Sequence, residues 1–338
     1  MPVGKDGRNA TLGIDIGGTK SLYALFDDRF EIVAQEKLRT HPDKGGVKGF
    51  SRAMRKSVQA LVEEAERRGL ALRAVGVGCA GDIDMREGVV RSSPNIAFLD
   101  DYPFRARLEK LTGAKVFVGN DVRAGLYGEL TLGAARKARH VIGVFLGTGV
   151  GGALAIDRRL HLGAGGLAGD IGNYVLHASG QPEQAPRPEI LDNVASRPAI
   201  AGDAAALAAK RWAPKLREKA GTDVTDIRSG DLAEAIRQGD KAVEKLVRSR
   251  ARVVGAAISN LVDFLNPDMV VLGGGLVEAM PRLIRREVAK AVEAHATPKA
   301  ARAARIVVAK LHDHAVTAGA AKLALDMTGA KQAPIDLG

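Results

Sequence analysis

The chain holds one cysteine, Cys79, in 338 residues. A lone cysteine excludes an intrachain disulfide and any zinc site built on several thiolates. On a strand such a residue is expected to be a small buried apolar group. Aromatic residues make up only 4% of the chain, too few for a surface on which nucleic-acid bases stack. No apolar run approaches the roughly 20 residues that span a bilayer. The first ten residues, MPVGKDGRNA, lack the apolar core of a signal peptide. The expectation is a cytoplasmic protein with no membrane partner. Acidic residues are fewer than basic ones, 39 against 50, for a formal net charge of +11. The bases are dispersed among acids, as in Glu63-Glu64-Ala65-Glu66-Arg67-Arg68. The densest basic region, Lys299 to Arg305, reads as a solvated face, so no nucleic-acid partner is expected.

The length favours two domains, and the chain contains an internal repeat. Leu12 to Asp27, LGIDIGGTKSLYALFD, aligns without a gap on Ile142 to Asp157, IGVFLGTGVGGALAID. Gly13 matches Gly143, Gly17 matches Gly147 and Asp27 matches Asp157. Each segment reads as strand, glycine-rich turn, strand. Between them, Val116 to Val118 is a short apolar strand closed by Gly119. Asn120 and Asp121 then stand where a helix begins, both suited to cap its free N–H groups. That helix carries Val122, Leu126 and Leu130 on one face.

Amphipathic helices are expected at Phe50 to Arg68 and at Asp240 to Asn266, the latter ended by Pro267. Strands are expected at Ala74 to Cys79, Asp268 to Leu272 and Arg305 to Leu311, and a further helix at Leu276 to Ala294. Ala315 to Met327 is a helix of small residues, able to pack closely on another element. The alternation of strands and helices makes this an α/β chain. Several polar residues fall just beyond strand ends, where open α/β sheets bind ligands.

Three glycine turns follow strands, at Gly17, Gly147 and Gly273. None is a Walker A loop, since GxxxxGK[ST] does not occur. Glycine lets backbone N–H groups approach phosphate oxygens, although each turn alone could be a plain hairpin. Asp15 sits inside an apolar strand, where a carboxylate is costly unless paired. It either holds Mg²⁺ through water or is a structural carboxylate bonded to the turn. His312-Asp313-His314 reads as a loop or cap in preference to a metal site.

Four segments together resemble the ROK family: Asp15-Ile16-Gly17-Gly18-Thr19-Lys20, Gly119-Asn120-Asp121, Leu146 to Gly152 (LGTGVGG), and Asn266 to Gly275 (NPDMVVLGGG). That family contains glucokinases, other sugar kinases and sugar-responsive repressors, within the actin–hexokinase–Hsp70 superfamily. The resemblance runs from about Thr11 to Leu325. It implies an actin-like, ribonuclease H-like α/β fold of two domains around a central cleft. The expected domains are 1–120, completed by a C-terminal helix at about 315–338, and 121–314. ATP with Mg²⁺ would meet Gly17, Gly18, Thr19 and Lys20 from one hairpin and Gly147, Thr148 and Gly149 from the other, with adenosine near Gly274 and Gly275. Asp121 matches the family's catalytic base, and Asn120 a ligand of the sugar hydroxyls. Gly81 and Asn95 match positions lining the sugar site. A homodimer is the expected assembly.

Departures from the family pattern are concentrated in one loop. Where the family has Glu-Ile-Gly-His, this chain has Asp170-Ile171-Gly172-Asn173. The cysteine-rich zinc motif that follows is replaced by Gly180 to Leu191, without cysteine, so no structural zinc is expected. The next family carboxylate, a Glu on the sugar, aligns with Asp192. The leading expectation is therefore an ATP-dependent sugar kinase of unspecified sugar. The alternatives are a non-catalytic sugar- or nucleotide-binding homologue and a repressor. The latter is disfavoured because only ten residues precede Thr11, too few for a DNA-binding helix-turn-helix.

Overall fold

The computed structural model describes residues 8–41, 45–94, 96–177, 189–329 and 334–335. It divides into two compact units, Met1–Lys137 with Arg158–Ala164 and Asp313–Gly338, and Ala138–Asp157 with Gly165–His312.

The first unit is built on the hairpin β1 (Asn9–Ile16) and β2 (Lys20–Asp27), followed by β3 (Ile32–Arg39) and helix α1 (Gly46–Arg67). β4 (Ala71–Cys79) comes next, then a ribbon of β5 (Asp82–Asp84) and β6 (Val89–Ser92). Helix α2 (Phe104–Thr112), β7 (Lys115–Asn120) and α3 (Asp121–Thr131) follow. The sheet order is β3-β2-β1-β4-β7. β1, β4 and β7 run parallel, and their apolar residues Leu12, Ile14, Val75, Val77, Val116 and Val118 are buried. Layers on both faces of a parallel sheet explain such unbroken apolar runs. α1 begins a turn earlier than its periodicity suggests, because Gly45 takes a left-handed conformation (φ 97°) ahead of it. Its stripe of Phe50, Met54, Val58, Leu61 and Ala65 is buried.

In the second unit, β8 (Val141–Leu146) and β9 (Val150–Ile156) form the repeated hairpin. The chain then passes β10 (Arg159–His161), which belongs to the first unit, where Leu160 bridges Ile335. β11 (Val175–His177) pairs with β12 (Glu189–Ile190). Helices α4 (Leu191–Ala195), α5 (Arg197–Ala209), α6 (Pro214–Ala220), α7 (Ser229–Arg237) and α8 (Lys241–Leu265) lead to β13 (Met269–Gly273). After it come α9 (Gly275–Ala279), α10 (Pro281–His295), α11 (Pro298–Ala303) and β14 (Arg305–Val308). β9 is antiparallel to β8, β13 parallel to β8, and β14 parallel to β13. β2, β1, β4 and β7 have the same directions in the same order. The sequence repeat thus corresponds to a repeated sheet.

One expectation is corrected. The helix expected over Leu276 to Ala294 is broken into α9 and α10, because Pro281 cannot donate to the helix ladder and Met280 before it leaves the helical conformation (φ −137°). The first unit also continues past residue 120, since α3 packs against α12 (Ala315–Gly329), and the chain leaves that unit at Lys137.

α12 is the small-residue helix, and its packing is unusually close. A Cβ on Gly13 of β1 would lie 2.0 Å from the Thr317 carbonyl oxygen, and one on Gly76 of β4 would lie 1.9 Å from that of Ala320. A Cβ on Gly319 would lie 1.8 Å from the Ala124 oxygen of α3. The helix therefore rests backbone to backbone on the sheet and on α3. Farther along, the Tyr127 hydroxyl donates to Asp326 Oδ2 at 2.6 Å. Gly76→Ala should cost at least about 2 kcal/mol, as overpacking against backbone cannot be relieved by a rotamer change. Gly202→Ala, in α5 where nothing lies within 4 Å, should gain about 0.5–1 kcal/mol by helix propensity. Urea unfolding of both variants checks the pair. An unshifted midpoint for Gly76→Ala would show that α12 can back away.

Candidate active site

In the first unit, three parallel strands end side by side. Asp15 of β1 lies opposite Gly78 of β4, and Gly78 lies opposite Gly119 of β7. Asp121 follows at the head of α3. A Cβ on Gly78 would come within 3.4 Å of the Asp121 Cα and 2.5 Å of Val316, so this glycine lets the α3 and α12 starts reach the strand ends. Asn120 is the helix cap: its Oδ1 accepts from the N–H groups of Val122 (3.0 Å) and Arg123 (3.3 Å). Its Nδ2 donates to the Gly81 carbonyl at 3.4 Å, leaving the amide fixed in orientation. Gly81 needs its positive φ of 117°, and a Cβ there would meet the Ser92 oxygen at 2.3 Å. Asn95 lies outside the described residues. Nearby, the buried Ser93 hydroxyl has no hydrogen-bond partner among the described residues.

The electrostatics of this corner are set first by burial and second by neighbouring carboxylates. Burial raises Asp15 from its ordinary value of 3.8 to about 8; the Asp121 charge adds to this, Lys20 opposes it, and Asp313 adds a smaller push. Asp121 is also raised, by burial, against the N–H groups of the first helical turn and Arg123. Its Oδ1 accepts from the Val122 N–H at 2.9 Å. A helix N-terminus alone would lower this carboxyl; here loss of water outweighs the dipole. The Cys79 thiol is pushed up as well, by burial and by the same two carboxylates.

The first glycine turn is closed by the Gly17 N–H donating to the Lys20 carbonyl at 3.2 Å. Gly18 and Thr19 complete it, and the half-exposed Lys20 ammonium pairs with Asp313 at 3.5 Å. Asp313 lies in a short 3-10 turn, His312–His314, that delivers the chain into α12. Sequence reasoning assigned that turn no role, because only the return of the C-terminal helix brings it to β2.

In the second unit, the Gly147-Thr148-Gly149 turn is tightened by the Gly147 N–H donating to Gly149 O at 2.9 Å. Arg197 N–H donates to Gly147 O at 2.8 Å. Among the described residues, no atom outside the turn and its chain neighbours lies within 4 Å of where a Cβ on Gly147 would sit, which leaves room for a ligand beside its backbone. β13 ends beside β8, and Gly274 (φ 85°) passes so near that a Cβ would lie 2.6 Å from the Leu146 oxygen. This places Gly274 and Gly275 next to the turn. The altered loop also gathers here. A Cβ on Gly172 would lie 2.3 Å from the Val150 oxygen, and Asn173 Nδ2 donates to Asp170 Oδ2 at 2.8 Å. Asp192 Oδ1 accepts from the Val150 N–H at 2.6 Å. Asp192 is thus a brace of the glycine turn, a role its sequence position did not disclose.

Among the described residues, no group of three or more His, Cys, Asp or Glu side chains could hold a metal ion, and no helix is long and apolar enough to cross a membrane.

The ROK family profile matches residues 11–327. A glucokinase of Halalkalibacterium halodurans is 29% identical over 312 residues, covering 91% of this chain and 92% of that protein. The N-acetylgalactosamine kinase AgaK of a Shewanella species is 29% identical, covering 79% of this chain and 82% of that protein. The crystal structure of a ROK family glucokinase from Streptomyces griseus in complex with glucose and AMPPNP superposes with a TM-score of 0.75. It is 29% identical, with 94% of this chain and 99% of that one covered. The two repeated sheets are those of the actin-like ATPase fold, and this chain belongs to the ROK family.

Proposed function

We propose that this chain is an ATP-dependent sugar kinase with Asp121 as its base. The observation that carries this reading is Asp121 itself, a half-buried carboxylate at a strand-to-helix corner beside Asp15, Asn120 and a glycine turn. The complex of the Streptomyces griseus relative with glucose and AMPPNP supports the pairing of sugar and nucleotide. In the reaction, the sugar hydroxyl oxygen bonds to the γ-phosphorus as the bond to the β,γ-bridging oxygen breaks. The hydroxyl proton passes to Asp121, and ADP leaves with the bridging oxygen. Transition states of this kind are loose, so positioning and charge neutralisation supply most of the rate. Asn120, Gly81 and Asn95 hold the sugar. Gly17, Gly18, Thr19, Lys20, Gly147, Thr148 and Gly149 meet the phosphates, and Gly274 and Gly275 the adenosine.

Mg²⁺ fits the donor set, because it keeps most of its waters and takes one or two carboxylates plus phosphate oxygens in preference to an all-protein cage. Asp15 would hold it through water, and it would neutralise charge on the phosphates. Burial, with the neighbouring Asp121 charge, raises Asp15, and a cation there would relieve that environment.

Asp121→Asn should lower kcat by at least about 10²–10⁴-fold while leaving nucleotide affinity nearly intact. A coupled ADP-release assay beside nucleotide titration measures both, and near wild-type kcat would reassign the base. The base works only when ionised, and burial lifts its pKa above 3.8. The acid limb of kcat/KM should accordingly lie above the ordinary carboxylate value, with activity rising as pH rises through it; a limb at or below 3.8 would contradict the burial argument.

The sugar site is proposed to include Asp170, Asn173 and Asp192. Each Asp is shorter than the family's Glu by one C–C bond, about 1.5 Å. Asp192 is further committed to Val150 and Asp170 to Asn173. A glucose pose kept unchanged would leave polar groups unpaired, costing about 1–3 kcal/mol each. Glucose should therefore be a weak substrate, and an N-acylated hexosamine or another polyol a better one. Comparing kcat/KM for glucose and N-acetylated hexosamines decides this. A preference for glucose of more than about tenfold, equivalent to 1.4 kcal/mol, would mean that the loop reaches the sugar differently.

A further inference from the structure

In the first unit, α1 and α2 face each other across a cavity of about 820 Å³. Arg52 and Arg55 line it from α1, and Arg107 and Lys110 from α2. Among the described residues, no carboxylate lines it. Each pair is spaced i, i+3, so each helix presents two cations on one side. Several other i, i+3 and i, i+4 positions in the chain carry opposite charges. Arg67 and Arg68 pair with Glu64, Lys215 with Glu218, Arg237 with Glu234, and Lys241 and Arg248 with Glu244. Among the described residues, none of the four cavity cations has a carboxylate within ion-pair distance. Four unneutralised cations around one concavity raise its potential, and a multivalent anion would relieve their repulsion.

The floor of the cavity is rigid and polar. The Tyr102 ring is buried (3% exposed) and packed edge-on against Phe50 and Phe104, at 5.8 and 4.6 Å between centroids. This fixes its hydroxyl 2.8 Å from Ser51 Oγ, and the pair retains hydrogen-bonding capacity for an oxyanion. The Arg107 guanidinium lies over the same ring, 4.8 Å from its centroid, which restricts an otherwise mobile side chain. Guanidinium groups match phosphate oxygens in pairs.

We infer that the cavity between α1 and α2 is a binding site for a small, multiply charged phosphate compound, held by Arg52, Arg55, Arg107 and Lys110 over the Ser51–Tyr102 hydroxyl pair. The site uses none of the residues assigned to phosphoryl transfer. Its ligand is either an inorganic oligophosphate or a phosphorylated sugar, which share this chemistry and differ in charge.

Calorimetric titration of the full chain with tripolyphosphate, and separately with a hexose 6-phosphate, tests the inference. AMPPNP is held saturating in both arms, so that anion binding at the nucleotide turns does not contribute. Arg52→Gln/Arg55→Gln and Arg107→Gln/Lys110→Gln should each weaken binding by about tenfold or more, as charge-assisted bonds are lost. Arg285→Gln/Lys290→Gln removes the same charge from α10, another basic region, and should leave binding within about twofold, the small effect of screened remote charge. Circular dichroism confirms that each variant is folded. The arm with the tighter binding names the source. No binding in either arm, or equal losses in all three double variants, would overturn the site; equal losses would reduce it to net charge.

Discussion

The contact on which the first unit depends is that of the α12 backbone with three glycines. Gly13, Gly76 and Gly319 remove the side chains that would hold α12 away from β1, β4 and α3. At this separation, dispersion contacts accumulate along main-chain atoms, which lose no rotamer entropy on packing. The same closeness places the start of α12, with Asp313 just before it, beside Lys20. The glycines of the core thereby help determine which charges meet at the strand ends.

The second constraint is electrostatic. Asp121 stands close enough to raise Asp15, and both carboxylates are partly buried, which raises each of them. A helix terminus offers a carboxylate of order 0.3–1 kcal/mol at exposed sites, while burial can move a pKa by several units. The larger effect decides the direction here. The corner is accordingly high in energy when both groups are ionised, and a cation or a proton lowers it. Metal affinity and proton affinity at the strand ends are two expressions of one field.

Much of this was legible in the residues, and the remainder has identifiable causes. The repeated LGIDIGGTK and IGVFLGTGV segments disclosed two hairpins because glycine turns and apolar alternation are local signals. The Asn120 cap was readable for the same reason, since it acts on residues two and three places on. The small-residue composition of α12 showed that it could pack closely, but not on what. The break at Pro281 was hidden by an apolar periodicity that continues through it. Asp192 as a brace for Val150, and Asp313 as a partner for Lys20, join positions 42 and 293 residues apart in the chain. Nothing local marks such pairs. The direction of the Asp121 shift is not legible in sequence, because the helix is visible there and the surrounding burial is not.

The return of α12 to the first sheet also bears on how the protein is made. During synthesis the strands β1, β2, β4 and β7 emerge early, but the helix that covers Gly13 and Gly76 comes after residue 314. The second unit, drawn from Ala138–Asp157 and Gly165–His312, is entirely translated before it. Domains generally fold as units as the chain emerges. Here the unit translated first is completed last, with an uncovered apolar sheet face exposed while the ribosome finishes the other. That interval is when chaperones would be needed, and a ribosome stalled before α12 would release a chain with one finished unit and one open sheet.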